Sequence, residues 1–201
     1  MGQIKKDIQS QIKLHGSKAN ARSAAMDWYK TSLKSFSNKT VVAYGERFRP
    51  GKLYVFRYDT PITEKIEWWD RNPVVLGLDP YRGNDVGINL NMLPVSVKET
   101  LLDELHIKLN GQIKTNSDRA KNNAASQGQL NLTYRGAKLY LDQFGCGFAV
   151  RQYKPNLKGK QAVVSYENWA KIVLCDFAEL EGISKRTLNA MFRKYYNNKN
   201  I

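Results

Sequence analysis

The chain opens on two helical patterns of different width. Ile4, Ile8 and Ile12 recur every four residues in an otherwise polar segment, a narrow apolar stripe that predicts a helical arm over 1–18 in need of a partner. After Gly16-Ser17, the positions Ala21, Ala24, Ala25, Trp28, Tyr29, Leu33 and Phe36 make a broader face, competent to dock on a core. From Val41 the period shortens to two. In "GKLYVFRYD", Tyr54, Phe56 and Tyr58 alternate with Leu53, Val55 and Arg57, as in a half-buried strand bracketed by Pro50-Gly51 and Thr60-Pro61. "KIEWW" predicts a short second strand, and "NPVVLGLD" a central strand covered on both faces. After the turn chemistry of "PYRGND", "VGINLNM" sets Val86, Ile88, Leu90 and Met92 against Gly87, Asn89 and Asn91 and predicts a fourth strand.

Pro94 ends the strands. "SVKE" predicts a capping box, with Ser96 at the N-cap and Glu99 three residues on, ahead of a helix that buries Leu101, Leu102, Leu105 and Leu109. Residues 110–131 are polar, Asn-rich and basic, an exposed connection. Tyr134 to Val150 has helical spacing in Ala137, Leu141, Phe144 and Phe148, weakened by Gly145 and Gly147. "QAVVSYENW" has strand character, and Ile172 to Leu174 suggests one more short strand. From Ser184, Leu188, Met191, Phe192 and Tyr195 share a helical face, with Lys185, Arg186, Arg193 and Lys194 on the rest. The fold class read from this order is α+β: a small curled antiparallel β-sheet or SH3-like barrel flanked by N-terminal, central and C-terminal helices. The expected organisation is an arm at 1–18, a single core domain at 19–178 and an amphipathic C-terminal helix at 179–201. No internal repeat is visible.

Composition narrows the function classes. With 201 residues, 42% of them apolar, the chain can bury a real core. No run approaches the roughly 20 apolar residues of a membrane helix, and "MGQIKKDIQSQIKLHG" lacks the apolar centre of a signal peptide. Cys146 and Cys175 have no partnered His spacing and read as buried thiols of a reducing compartment. Charge changes the picture most. The net +14 is uneven: +7 over residues 1–50, −2 over 51–110 and +7 over 111–160. Basic flanks around a near-neutral centre suit a polyanion partner, most simply nucleic acid. The candidate phosphate contacts are Arg151, Lys154, Lys158 and Lys160 of "RQYKPNLKGK", with Arg135 and Lys138 on the preceding helix. Such groups neutralise phosphates without reading sequence. A merely solvated Lys-rich surface has the same composition.

Catalytic signatures are sparse. His15 lies in the polar arm and His106 inside an amphipathic helix, neither with a Ser or Cys partner in a recognisable motif. No nucleotide-cradling glycine loop is present. Asp70, Asp79 and Asp85, at strand ends or in a turn, could converge on Mg²⁺ in a nuclease, although Asp70-Arg71 equally makes a surface ion pair and the others suit turns. The reading is therefore non-enzymatic, with no catalytic residue, cofactor or metal. The aromatic pair Trp68-Trp69 with Asp70-Arg71, and the stripe Ile4, Ile8 and Ile12, read as subunit interface.

The strand block "RPGKLYVFRYD", "WWDRNPVVLGLD" and "DVGINLNMLP", followed by a leucine-rich helix, resembles a family of tailed-phage virion proteins labelled DNA end protectors or head-completion proteins, after the T-even phages. The Trp28-Tyr29 helix and "VVSYENW" belong to the same resemblance, which covers residues 20–110 and 150–175. It departs at Asn72, where the family has an aromatic, and at Asn91-Met92, where it has His-Tyr. The resemblance implies a protein made in the host cytoplasm and carried in the virion's head–tail region. It would be multi-copy in a ring assembly, touch portal, neck or tail subunits and double-stranded DNA or its end, and have no membrane contact. A structural connector or baseplate subunit without DNA contact is the alternative it leaves open.

Overall fold

The computed structural model describes residues 2–36, 47–58, 70–114, 131–154 and 158–175, together with positions 184, 186, 187 and 190. Among these residues five helices and five strands are formed: α1 Gln3–Leu14, α2 Lys18–Phe36, β1 Leu53–Tyr58, β2 Val74–Tyr81, β3 Asn84–Asn89, α3 Val95–Lys114, α4 Tyr134–Asp142, β4 Val150–Tyr153, β5 Lys158–Val164 and α5 Trp169–Leu174. The α+β class is the expected one. The strands make one antiparallel sheet in the order β4-β3-β2-β1-β5.

The connectivity forces the sheet to curl. β4 and β5 are its two edges, yet only residues 154–157 join them. Five strands laid flat separate their edges by about 19 Å, while that connection reaches roughly 17 Å when fully stretched. The bend is visible in the side chains. Tyr153 of β4 meets Phe56 and Tyr58 of β1, with ring centroids 5.4 and 5.3 Å apart, across two intervening strands. β4 and β5 do not pair with each other, so among the described residues the sheet is curled and open, not a closed barrel. A Cβ at Gly77 would lie 2.7 Å from the Arg49 carbonyl oxygen. Glycine there lets the 49–52 turn cross β2, held by Gly51 N–H to Gly77 O and Gly77 N–H to Lys52 O.

Alternation along the strands sorts side chains onto two faces. Leu53, Val55, Val74, Leu76, Leu78, Val86, Ile88, Val150 and Val164 join the helices in the main core. Phe48, Tyr54, Phe56, Val75 and Tyr153, with Tyr58 against them, form a separate aromatic cluster on the opposite face.

Several elements differ from their sequence reading. The Ile4 stripe finds its cover within the chain: Ile4 and Ile8 are buried in the main core, Ile12 packs against it, and α1 lies on α3 and α5. The Ile4 N–H donates to Asp103 Oδ1 at 2.7 Å, so a carboxylate of α3 satisfies the first turn of α1. Helix α3 starts at Val95, with the Lys98 N–H bonded to the Pro94 carbonyl, which moves Ser96 inside the first turn and out of the expected cap. The expected strand at Ile172–Leu174 is helix α5, all three residues buried. The helix expected to reach Val150 stops at Asp142. Gly145 then takes φ +66 and a 3-10 turn, Gly147–Ala149, leads into β4. Leu90 and Met92 stay buried but lie in a 3-10 turn after β3. "KIEWW", most of the basic connection and nearly all of the C-terminal helix lie outside the described residues.

Candidate nucleic-acid interface

The β2–β3 hairpin is closed by the tightest of connections. Tyr81 pairs with Asn84, leaving Arg82 and Gly83 as a two-residue loop with φ +50 and +76. Positive φ at both central positions is the type I′ geometry, whose twist matches that of the flanking strands. Gly83 takes it freely; holding Arg82 there costs about 1 kcal/mol. The strained conformation places the Arg82 guanidinium over the Tyr81 ring, 5.2 Å from its centroid. Tyr81 in turn stacks on Tyr134, with centroids 4.8 Å apart and planes 14° from parallel. Asn84 Nδ2 donates to Gln152 Oε1 at 3.2 Å and ties the hairpin to β4.

Helix α4 brings Tyr134 to this stack. Thr133 is its N-cap, its hydroxyl accepting the Gly136 N–H at 3.2 Å. Ala137, Tyr140 and Leu141 face the core, which turns Arg135 and Lys138, three residues apart, to the exposed side. The hairpin and the helix thus contribute the same tripeptide, Tyr-Arg-Gly, at 81–83 and 134–136. The two tyrosines stack and both arginines are exposed. Exposed Arg49 and Lys52 lie on the turn that crosses β2, and exposed Asp79 and Asp142 add negative charge at its C-terminal part and at the end of α4. The repeated tripeptide was the available signal for Tyr81, Arg82 and Tyr134.

The other sequence candidates fall into different environments. Arg135, Lys138 and Lys154 are exposed. Arg151 is half-buried on β4, and burial lowers its guanidinium from the ordinary value. Lys158 is fully buried, paired with Asp85 of β3 and lying 4.2 Å from the centroid of the Phe48 ring. It therefore has no free face for phosphate. Burial also pulls its ammonium below the usual lysine range, and Asp85 partly offsets that pull. The Lys160 side chain and Trp68-Trp69 lie outside the described residues, and Arg71 is exposed.

Asp70 is not the surface ion pair that Asp70-Arg71 suggested. It is 6% exposed and accepts the Asn72 N–H at 3.0 Å, Asn89 Nδ2 at 3.0 Å and Asn91 Nδ2 at 2.6 Å. Tyr29 of α2 donates to the Asn72 carbonyl at 2.8 Å, so one carboxylate organises the entry to β2, the end of β3 and a helix. Burial pushes the Asp70 carboxyl up to about 6, against the pull of its three N–H donors and of Lys98. Buried Lys98 donates to the Cys175 carbonyl at 3.1 Å. Cys146 and Cys175 are both buried free thiols, and burial pushes Cys175 up to about 12. Asp70 and Asp85 are thus engaged by amides and by an ammonium. No three His, Cys, Asp or Glu side chains converge as a metal site among the described residues. No helix there is long and apolar enough to cross a membrane.

No curated protein and no solved structure matches the chain. The profile of one protein family, described as phage T4 terminal DNA protecting protein, matches residues 1–198, well beyond the segments that carried the resemblance. With nearly the whole chain inside that match, the protein belongs to the phage T4 terminal DNA protecting protein family.

Proposed function

We propose that this chain is a non-catalytic phage virion protein that binds the end of packaged DNA in the head–tail region and shields it. The family supports the DNA terminus as target. One structural observation carries the binding itself: the charged groups buried among the described residues are two carboxylates, Asp70 and Asp85, and two ammoniums, Lys98 and Lys158. Among the described residues burial therefore removes equal charge of each sign, and the positive excess they carry stays where a polyanion can meet it. Arg135, Lys138 and Lys154, with Arg82, Arg49 and Lys52, are the exposed groups that neutralise phosphate on this reading; Lys158 drops out.

Neighbouring virion subunits, arranged as a ring of copies, remain part of the proposal. A groove between α1, α3 and α5, lined mostly by polar residues with the two carboxylates Asp7 and Glu167 among them, offers such a neighbour a docking place for a polar or basic segment.

The test is binding to a short linear duplex across a salt series, with exonuclease digestion of linear DNA in parallel. Affinity should fall with salt at a log–log slope of about −3 or steeper, corresponding to three or more phosphates neutralised. Bound linear DNA should resist digestion. A chain that neither binds duplex at low salt nor slows the exonuclease is a connector without DNA contact, and one that degrades the DNA when Mg²⁺ is added is a nuclease. Either result overturns the proposal.

A further inference from the structure

The surface of duplex DNA offers phosphate everywhere along its length but offers a base face only where the helix stops or a strand is unpaired. Phosphate contacts alone therefore cannot distinguish an end from the interior. A protein that prefers ends needs a planar group able to lie on a base, held rigidly beside cations that hold the adjoining phosphates.

The two Tyr-Arg-Gly segments assemble those parts. Tyr81 and Tyr134 are nearly parallel at 4.8 Å, the spacing of stacked rings, and the Arg82 guanidinium lies over Tyr81. Both rings are half-buried, with Arg82 and Arg135 exposed beside them. The mounting is stiff. A two-residue hairpin holds Tyr81, a hydrogen bond to Gln152 anchors that hairpin, and a capped helix holds Tyr134. Arg82 is the one non-glycine residue with positive φ among the described residues. A strained conformation at an exposed arginine, kept where glycine would relieve it, points to use of the side chain it presents. Guanidinium and tyrosine planes are the groups on which bases stack.

We propose that the Arg82–Tyr81–Tyr134 stack is a seat for the terminal or unpaired base of a DNA end, with Arg135 and Lys138 holding the phosphates that flank it. The proposal rests on the DNA-binding reading above and adds the chemistry that selects an end.

The experiment compares binding of full-length protein to a short linear duplex and to a relaxed circular duplex of the same composition, measured as competition per nucleotide. Wild type should prefer the linear duplex. Tyr81→Leu should lose about tenfold on the linear duplex, because the ring that aligns Arg82 with Tyr134 is gone and the base loses its stacking seat, and should bind the circle as wild type does. Tyr81→Phe, which keeps the ring, should retain the preference. Arg135→Ala with Lys138→Ala should weaken both DNAs alike. If Tyr81→Leu does not fold, Arg82→Gly serves in its place: it relieves the strained φ, keeps the fold and should reduce the preference for ends about threefold. Equal loss on both DNAs, no loss on either, or a wild type that treats circle and linear duplex alike overturns the inference while leaving DNA binding intact. A wild type that binds neither DNA overturns the function reading and this inference with it.

Discussion

The two faces of the one sheet are stabilised in different ways. The face toward the helices is aliphatic, with Leu53, Leu76, Leu78 and Ile88 at or near zero exposure, and it gains stability from the area it removes from water. The opposite face carries Phe48, rings from β1 and β4, the buried Lys158–Asp85 pair and buried Asn89 and Gln161. On that face each polar group depends on its partner, because removing one strands the other in a place water cannot reach. The aliphatic face should therefore tolerate change of shape, and the polar face change of chemistry only when both partners change together.

The largest effect expected follows from that dependence. Asp85→Ala leaves Lys158 buried without its carboxylate and should cost about 4 kcal/mol in urea unfolding. Asp85→Leu with Lys158→Met should come within about 1 kcal/mol of wild type, or exceed it, because neither charge of the pair is then buried. A double variant as unstable as the single one would show that the pair contributes more than mutual satisfaction. On the aliphatic face, Leu76→Ala should cost about 3 kcal/mol, read in the same assay, through lost transfer energy and the cavity left behind.

The smallest effect is the dependence on pH. The Asp70 carboxyl is raised from 3.8 to about 6 in the folded protein. A carboxyl raised by folding contributes stability that is complete below its unfolded value and is lost as pH rises through its folded one. Between about pH 7.5 and pH 4, wild type should gain about 2 kcal/mol relative to Asp70→Asn. Parallel profiles for the two proteins would mean that Asp70 carries no such shift.

Local periodicity reaches some of this and not the rest. β1 and β3 were legible because alternation by two is written in adjacent residues, and burial of Val86, Ile88, Leu90 and Met92 followed from the same pattern, while that of Asn89 and Asn91 did not. Trp169–Leu174 was not, since a short apolar run fits a buried strand and a buried helix equally. β4 is four residues long and carries Arg151, so it read only as part of the basic stretch "RQYKPNLKGK". The misread charges share one cause. Lys158 looked like a phosphate ligand and Asp70 like half of a surface pair because their real partners, Asp85, Asn89 and Asn91, are distant in sequence. The Tyr81–Tyr134 stack is distant in the same sense, although its two halves carry the same three letters.

The strand order also sets a timetable. Leu53 pairs with Val164 and Val55 with Ala162, so β1 leaves the ribosome long before the strand that completes its outer edge has been made. Throughout that interval the growing chain carries an unsatisfied row of backbone donors and acceptors beside Tyr54 and Phe56, the material from which wrong pairings form. The last third of the chain ends that exposure, so a ribosome that stalls after α3 releases a product with an open edge and an aromatic cluster that lacks Tyr153.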